Sequence, residues 1–149
     1  MLNTIDNIVT LNVDTQNINI DNIDDSCDFG QDKAKTKNKD YTTTLKLKKA
    51  EEQQPEDAIS WKGTPKAKGN EPGSKDRVVV TAIWCNLNGE GENVLGDFTE
   101  NSNKEISAFP KKVGLEDYTL YFMVYNWIDE KTEKLRGVYF IDPKIVVNP

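Results

Sequence analysis

The sequence predicts an all-β fold, an antiparallel β-sandwich of about eight short strands with jelly-roll or immunoglobulin-like topology. Three observations predict it. Apolar and β-branched residues recur at every second position in several segments, the period of a strand with one face turned inward. Gly, Pro, Asn and Asp cluster between those segments and mark turns. No segment carries the 3.6-residue apolar repeat of an amphipathic helix. The 149 residues suit a single domain, 1–149, large enough to bury a core without staples. The hydrophobic fraction is only 36%, so part of the chain is expected to be loop, chiefly a long polar stretch at about 22–40.

The elements follow in order. Residues 5–13 form the first strand, with Val9, Leu11 and Val13 on one face and Thr10 and Asn12 on the other. Ile18 and Ile20 extend it after a break at 14–17. Residues 22–38, rich in Asp, Asn and Lys, form a long loop. Residues 41–48 alternate cleanly: Tyr41, Thr43, Leu45 and Leu47 inward, Thr42, Thr44, Lys46 and Lys48 outward. Residues 50–57 give one helical turn or a loop, and 58–62 a short strand. Gly63, Pro65, Gly69, Pro72 and Gly73 make 63–76 a turn-rich loop.

Residues 77–85 (RVVVTAIWC) are almost continuously apolar and predict a central strand covered on both faces. A turn at 86–92, a weak segment at 94–98 and a short strand at 106–109 follow. Residues 118–127 (YTLYFMVYNW) carry the strongest strand signal. Leu120, Phe122, Val124 and Asn126 share one face; Tyr121, Met123, Tyr125 and Trp127 share the other. Residues 129–134 form a charged hairpin loop and 138–141 return as the partner strand. Asp142-Pro143 turns a corner into the last strand, 144–147.

Composition excludes several functions. There is no histidine, so no Ser-His-Asp triad, Cys-His dyad or His-based metal site can form. Cys27 and Cys85 are too few for a Cys₄ site and read as two buried or idle thiols. The net charge of −6 argues against non-specific nucleic-acid binding. No apolar run approaches the ~20 residues of a membrane-spanning helix. The first eleven residues lack the basic and apolar regions of a signal peptide, and a cytoplasmic location is the expectation.

Charge is also segregated. Residues 1–32 hold seven Asp and no Lys or Arg, whereas 33–49 hold seven Lys and one Asp. Copies of the chain could pair head to tail through these segments.

Candidate sites are few. Asp21, Asp24, Asp25 and Asp28, with Asn22, gather oxygens of the kind calcium takes, but their spacing is not that of an EF-hand loop. No cofactor is expected, calcium being the one ion that this cluster suits. Glu90, Glu92 and Asp97 are the best carboxylate candidates for glycosidic chemistry. The run 86–91 lacks the Lys-Ser/Thr ending of a phosphate loop and reads as a turn. The aromatic residues Trp61, Trp84, Tyr121, Tyr125, Trp127 and Tyr139 carry more. Tyr121, Met123, Tyr125 and Trp127 cannot all be buried unless a loop or another chain covers them. Tyr121, Tyr125, Trp127 and Tyr139 are therefore the candidate ligand or interface face.

The run Asp57-Ala58-Ile59-Ser60-Trp61-Lys62-Gly63, the strand at 77–84, the run Tyr118-Thr119-Leu120-Tyr121-Phe122-Met123-Val124-Tyr125 and the closing Gly137-Val138-Tyr139-Phe140-Ile141-Asp142-Pro143-Lys144-Ile145 together resemble the AidA/PixA-type inclusion-body proteins of bacteria. The opening strand, ending in Asp14-Thr15, is similar to that family's opening strand. The resemblance lies mainly in residues 57–147; Ile141 stands where the family places an aromatic residue.

The resemblance implies a compact β-sandwich made in quantity, associated with crystalline inclusions and host interaction. It brings no catalytic residues. The expected function is therefore a non-enzymatic, self-associating protein that forms homo-oligomers or larger assemblies. Two alternatives are a lectin-like module that binds a glycan through the aromatic face and a structural subunit of a phage or secretion particle.

Overall fold

The computed structural model describes residues 7–30, 35–37, 41–85, 93–100 and 105–149. Their strands form two sheets. The first has the order β2-β1-β5-β8-β7, built from β1 (Asn7–Val13), β2 (Cys27–Gly30), β5 (Ile59–Pro65), β7 (Thr99–Glu100) and β8 (Ile106–Ala108). The second has the order β10-β9-β11-β4-β3, built from β3 (Lys35–Lys37), β4 (Thr42–Lys46), β9 (Gly114–Asp129), β10 (Thr132–Ile141) and β11 (Lys144–Asn148). A further strand, β6 (Arg77–Cys85), pairs with β9.

The fold is an all-β sandwich, as the alternation predicts, but its sheets are mixed. β1 runs parallel to β5, and β4 runs parallel to β11. Parallel pairs need long crossovers rather than tight turns, so local sequence gives no sign of them. The strands also number more than eight, and β9 and β10 are long.

β9 organises the second sheet. β10 follows it from Thr132↔Asp129 to Ile141↔Leu120. After the Asp142-Pro143 corner, β11 continues along it from Lys144↔Asp117. The Tyr118 N–H donates to the Pro143 carbonyl at 3.1 Å across that corner. β6 takes the opposite flank of β9, over Arg77↔Tyr125 to Cys85↔Tyr118.

Inward-facing residues of both sheets make one core. β1 supplies Val9, Leu11 and Val13; β5 supplies Ile59 and Trp61; β9 supplies Leu120, Phe122 and Val124; β11 supplies Ile145 and Val147. The Trp61 indole N–H donates to the Tyr118 hydroxyl at 3.0 Å, so the buried polar tips of both rings are satisfied. β4 buries Thr43 and Leu45 on one face and turns Lys46 out, as the sequence predicts.

Four expectations are corrected. Residues 14–17 turn, and instead of extending β1, Ile18 plugs the core while Ile20 is exposed. The stretch read as a long polar loop at 22–40 contains a helical turn, α1 (Ile23–Ser26), as well as β2 and β3. β2 is only four residues long and buries just Cys27 and Phe29, too short a pattern to stand out. β6 is not a two-sided central strand. Among the described residues it pairs with β9 alone, burying Val78 and Val80 and leaving Trp84 exposed. β10 begins at Thr132, inside the expected hairpin loop, because both of its faces are exposed from Thr132 to Arg136 and so tolerate Glu133 and Lys134. The expected turn at 86–92 lies outside the described residues.

Candidate functional site

The pleat of β9 fixes the site. Leu120, Phe122 and Val124 point into the core, so Tyr121, Met123, Tyr125 and Trp127 point out. Cross-strand pairing then decides what joins them. Tyr121 lies opposite Phe140 on β10, and Met123 opposite Val138. On the other flank, Ala82 lies opposite Tyr121 and Val79 opposite Met123.

The Trp84 and Tyr121 rings are 6.5 Å apart and those of Tyr121 and Phe140 are 5.8 Å apart. An aromatic row therefore crosses three strands on the outer face. Trp84 is 55% exposed and Phe140 48%, with Val138 and Leu135 exposed beside them. That is large apolar area left to solvent.

Charge frames one end of the row. The Arg77 guanidinium lies 4.6 Å from the Tyr125 ring centroid. It also donates from Nε and Nη2 to the two Glu133 oxygens, at 2.8 and 2.9 Å. This fork holds the Glu133 carboxyl below its ordinary range. Next along β9, Trp127 carries the Lys75 Nζ 4.4 Å above its ring. Trp127 also borders a concavity of about 360 Å³ lined by Gln16, Asn70, Glu71 and Ser74 among others.

Beneath Trp127 sits a residue that sequence reasoning missed. Asp76 is buried and accepts four hydrogen bonds. Its Oδ2 takes the Thr15 hydroxyl at 2.6 Å, the Gln16 amide at 2.7 Å and the Asn126 amide at 3.0 Å. Its Oδ1 takes the Trp127 N–H at 2.7 Å. Burial pushes this carboxyl upward, but the bonds from Thr15, the Trp127 N–H, Gln16 and Asn126 outweigh it and hold the carboxyl below the usual range.

Of the four predicted face residues, the structure brings Tyr121, Tyr125 and Trp127 together. Tyr139 does not join them. It lies opposite Phe122 on the inner face, buried, with ring centroids 5.7 Å apart. Its neighbour Phe140 takes the outer place, a one-residue difference in the parity of β10. A register shift between Leu135 and Gly137 sets that parity. A Cβ at position 137 would lie 2.7 Å from the Tyr139 Cζ, so glycine lets the ring fold over the strand. Trp61 is buried in the core. At the Asp142-Pro143 corner, Asp142 accepts the Thr119 hydroxyl at 3.0 Å.

The acidic cluster divides. Asp21, Asp24 and Asp25 line a concavity of about 640 Å³ with Tyr41, Phe140 and Asp142. Asp28 instead accepts from Asn12 at 3.0 Å and pairs with Lys66 at 3.2 Å. Among the described residues, no three His, Cys, Asp or Glu side chains come together in a set that could hold a metal ion. Glu90, Glu92 and the run 86–91 lie outside the described residues, as do residues 1–6 of the acidic arm. Asp97 lines a smaller pocket with Glu116, a second buried carboxyl that the sequence does not single out. Cys27 and Cys85 are both free thiols. No described helix is long and apolar enough to cross a membrane.

No family model matches the sequence, and no curated protein matches it. Among solved structures, the chain is similar to an inclusion body protein, PixA, from Burkholderia cenocepacia J2315. The two agree with a TM-score of 0.65 over 99% of each chain, at 16% sequence identity. The resemblance drawn from residues 57–147 therefore holds at the level of the fold, and over the whole chain.

Proposed function

We propose that this chain is a non-enzymatic, inclusion-body-type protein that self-associates through the outer face of β6, β9 and β10 and accumulates in the cytoplasm. The observation that carries this reading is the row Trp84–Tyr121–Phe140, with Val138 and Leu135 beside it, on a face with no second layer among the described residues. Covering such a face with a second copy removes apolar area from water, at roughly 25 cal/mol per Å². Aromatic residues are the usual anchors of such contacts. Two further observations support the reading: the fold likeness to an inclusion body protein and the opposite charges of residues 1–32 and 33–49. Size-exclusion chromatography with light scattering tests it. The expected result is a mass that climbs with concentration above the 16.9 kDa of one chain. A single 16.9 kDa species at every concentration overturns it.

A second reading, glycan binding, is favoured by one feature. Trp127 stands beside a polar concavity whose amide, hydroxyl and carboxyl groups suit sugar hydroxyls. On a glycan array, sugar-specific binding that Trp127→Ala abolishes without unfolding the protein would support it. Silence from a folded, multimeric sample would leave self-association.

A further inference from the structure

We propose that two copies of the chain also join edge to edge, with β3 of each seated beside β10 of the other. This contact rests on the self-association proposed above and adds to the aromatic face. The sheet that β9 organises has a step in one edge. From Ile141↔Leu120 to Lys144↔Asp117 both chains advance by three residues, so β10 and β11 run in one line along the same flank of β9. β4 covers the far side of β11, from Lys144↔Thr42 to Asn148↔Lys46, and β3 covers β4. Neither pairs with β10. Tyr41, at a φ of 46°, turns the chain aside just before β4, and its hydroxyl donates to the Cys27 carbonyl at 3.3 Å. Among the described residues, β10 therefore pairs with β9 alone. Every second residue of such an edge turns its N–H and C=O outward with no strand to meet them.

The step is self-complementary. A half turn about an axis perpendicular to the sheet brings the protruding β4 and β3 of a second copy opposite the recessed β10. The second copy's own β10 then receives the first copy's β3. β3 closes the order β10-β9-β11-β4-β3, so it is itself an edge among the described strands. It is antiparallel to β4, and β4 is parallel to β11. After the half turn it runs parallel to β10, and the two outer faces stay on one side. Such a contact is isologous and closes as a dimer. Charge selects this occupant. The recess beside β10 is a concavity of about 640 Å³ lined by Asp21, Asp24, Asp25 and Asp142, with Ile20 and Phe140 as apolar wall. The arriving segment, 33–39, carries Lys33, Lys35, Lys37 and Lys39 and no acidic residue. The strand edge supplies backbone bonds, and the acidic wall favours a lysine-bearing strand over an acidic one. With the edge and the aromatic face each joining two copies, dimers link into an open row. Phe140 lines the recess and belongs to the aromatic row, so Phe140→Lys opposes both contacts.

The test is sedimentation velocity of the wild type, of Asp21→Lys/Asp25→Lys and of Lys35→Asp/Lys37→Asp. Asp21 and Asp25 are exposed. At about 0.1 M salt, where charges act over ~10 Å, the wild type should grow past two chains of 16.9 kDa. Each variant alone should stop at two chains, held by the aromatic face. An equal mixture of the two variants should grow again, because each recess then meets a segment of opposite charge. Damage to the fold gives no such rescue. Amide hydrogen exchange of the wild type needs no variant. Residues 35–37, outside the aromatic face, should exchange at least tenfold more slowly in the assembled protein than in the dilute one. Variants that grow as the wild type does, a mixture that stays at two chains, or unchanged exchange at 35–37 would each overturn the edge contact and leave the aromatic face intact. A wild type that stays a single chain throughout overturns both.

Discussion

Asp76 ties three distant parts of the chain together: Thr15 and Gln16 after β1, Asn126 and Trp127 in β9, and its own loop before β6. Each bond brings a donor to a buried charge, and such bonds contribute about 1.5–3 kcal/mol apiece before coupling. Asp76→Asn turns donors toward donors and should cost about 2–4 kcal/mol at neutral pH. The pH dependence has a definite sign. The folded carboxyl titrates below its ordinary value of 3.8. Its contribution is therefore complete above that value and lost as the pH falls through the folded value. Urea unfolding of wild type and variant should show a full gap at pH 7 that narrows below the ordinary carboxyl value. A constant gap would assign the effect to packing.

Neither Asp76 nor Glu116 was legible in the sequence. The chain has 25 acidic residues, and nothing local marks Asp76 and Glu116 as the two that are buried among the described residues. Their partners come from far along the chain: Thr15 lies 61 positions from Asp76, and Val94 lies 22 from Glu116. Burial of a charge is a product of topology, and the sequence carries no period for it. Tyr121, Tyr125 and Trp127 were legible because strand parity alone turns them away from Leu120, Phe122 and Val124.

At the scale of elements, what could be read depended on how long and how one-sided each strand is. β4 and β9 alternate over enough residues to declare both faces. β2 and β7 are too short, and they form because β1 and β8 offer edges to pair with. β6 misled because its outer positions are apolar too. That same property makes the outer face of β6, β9 and β10 sticky.

The parity of β10 gives a paired prediction. Tyr139→Ala removes a buried ring and should cost about 3–5 kcal/mol. Phe140→Lys, one residue on and outward, should change stability by about 0.5 kcal/mol or less. Denaturation midpoints of the two variants check this, and equal losses would contradict the assigned faces. A third variant probes how the two sheets approach. A Cβ at Gly63 on β5 would lie 2.8 Å from both the Cβ and the carbonyl oxygen of Val78 on β6. Gly63→Ala should therefore cost about 1–3 kcal/mol by overpacking, with the urea m-value unchanged.

At the scale of the whole molecule, two forces could join copies: the aromatic face, and attraction between the acidic and lysine-rich segments. Salt separates them. At about 1 M salt the screening length shrinks to ~3 Å, which removes attraction between exposed charges and leaves apolar burial intact. Association should therefore persist at high salt in light scattering. Its loss there would move the interface from the aromatic face to the charged segments.

The most direct measurement is sedimentation equilibrium of the wild type beside the double variant Tyr121→Lys/Phe140→Lys, over the same concentrations. Both substitutions lie on the outer face, and two lysines there repel a second copy. The expected result is a wild type that grows heavier with concentration and a double variant that stays at 16.9 kDa with the wild-type fold by circular dichroism. A double variant that associates as strongly as wild type would contradict the assignment of the aromatic face as the surface that joins one copy to the next.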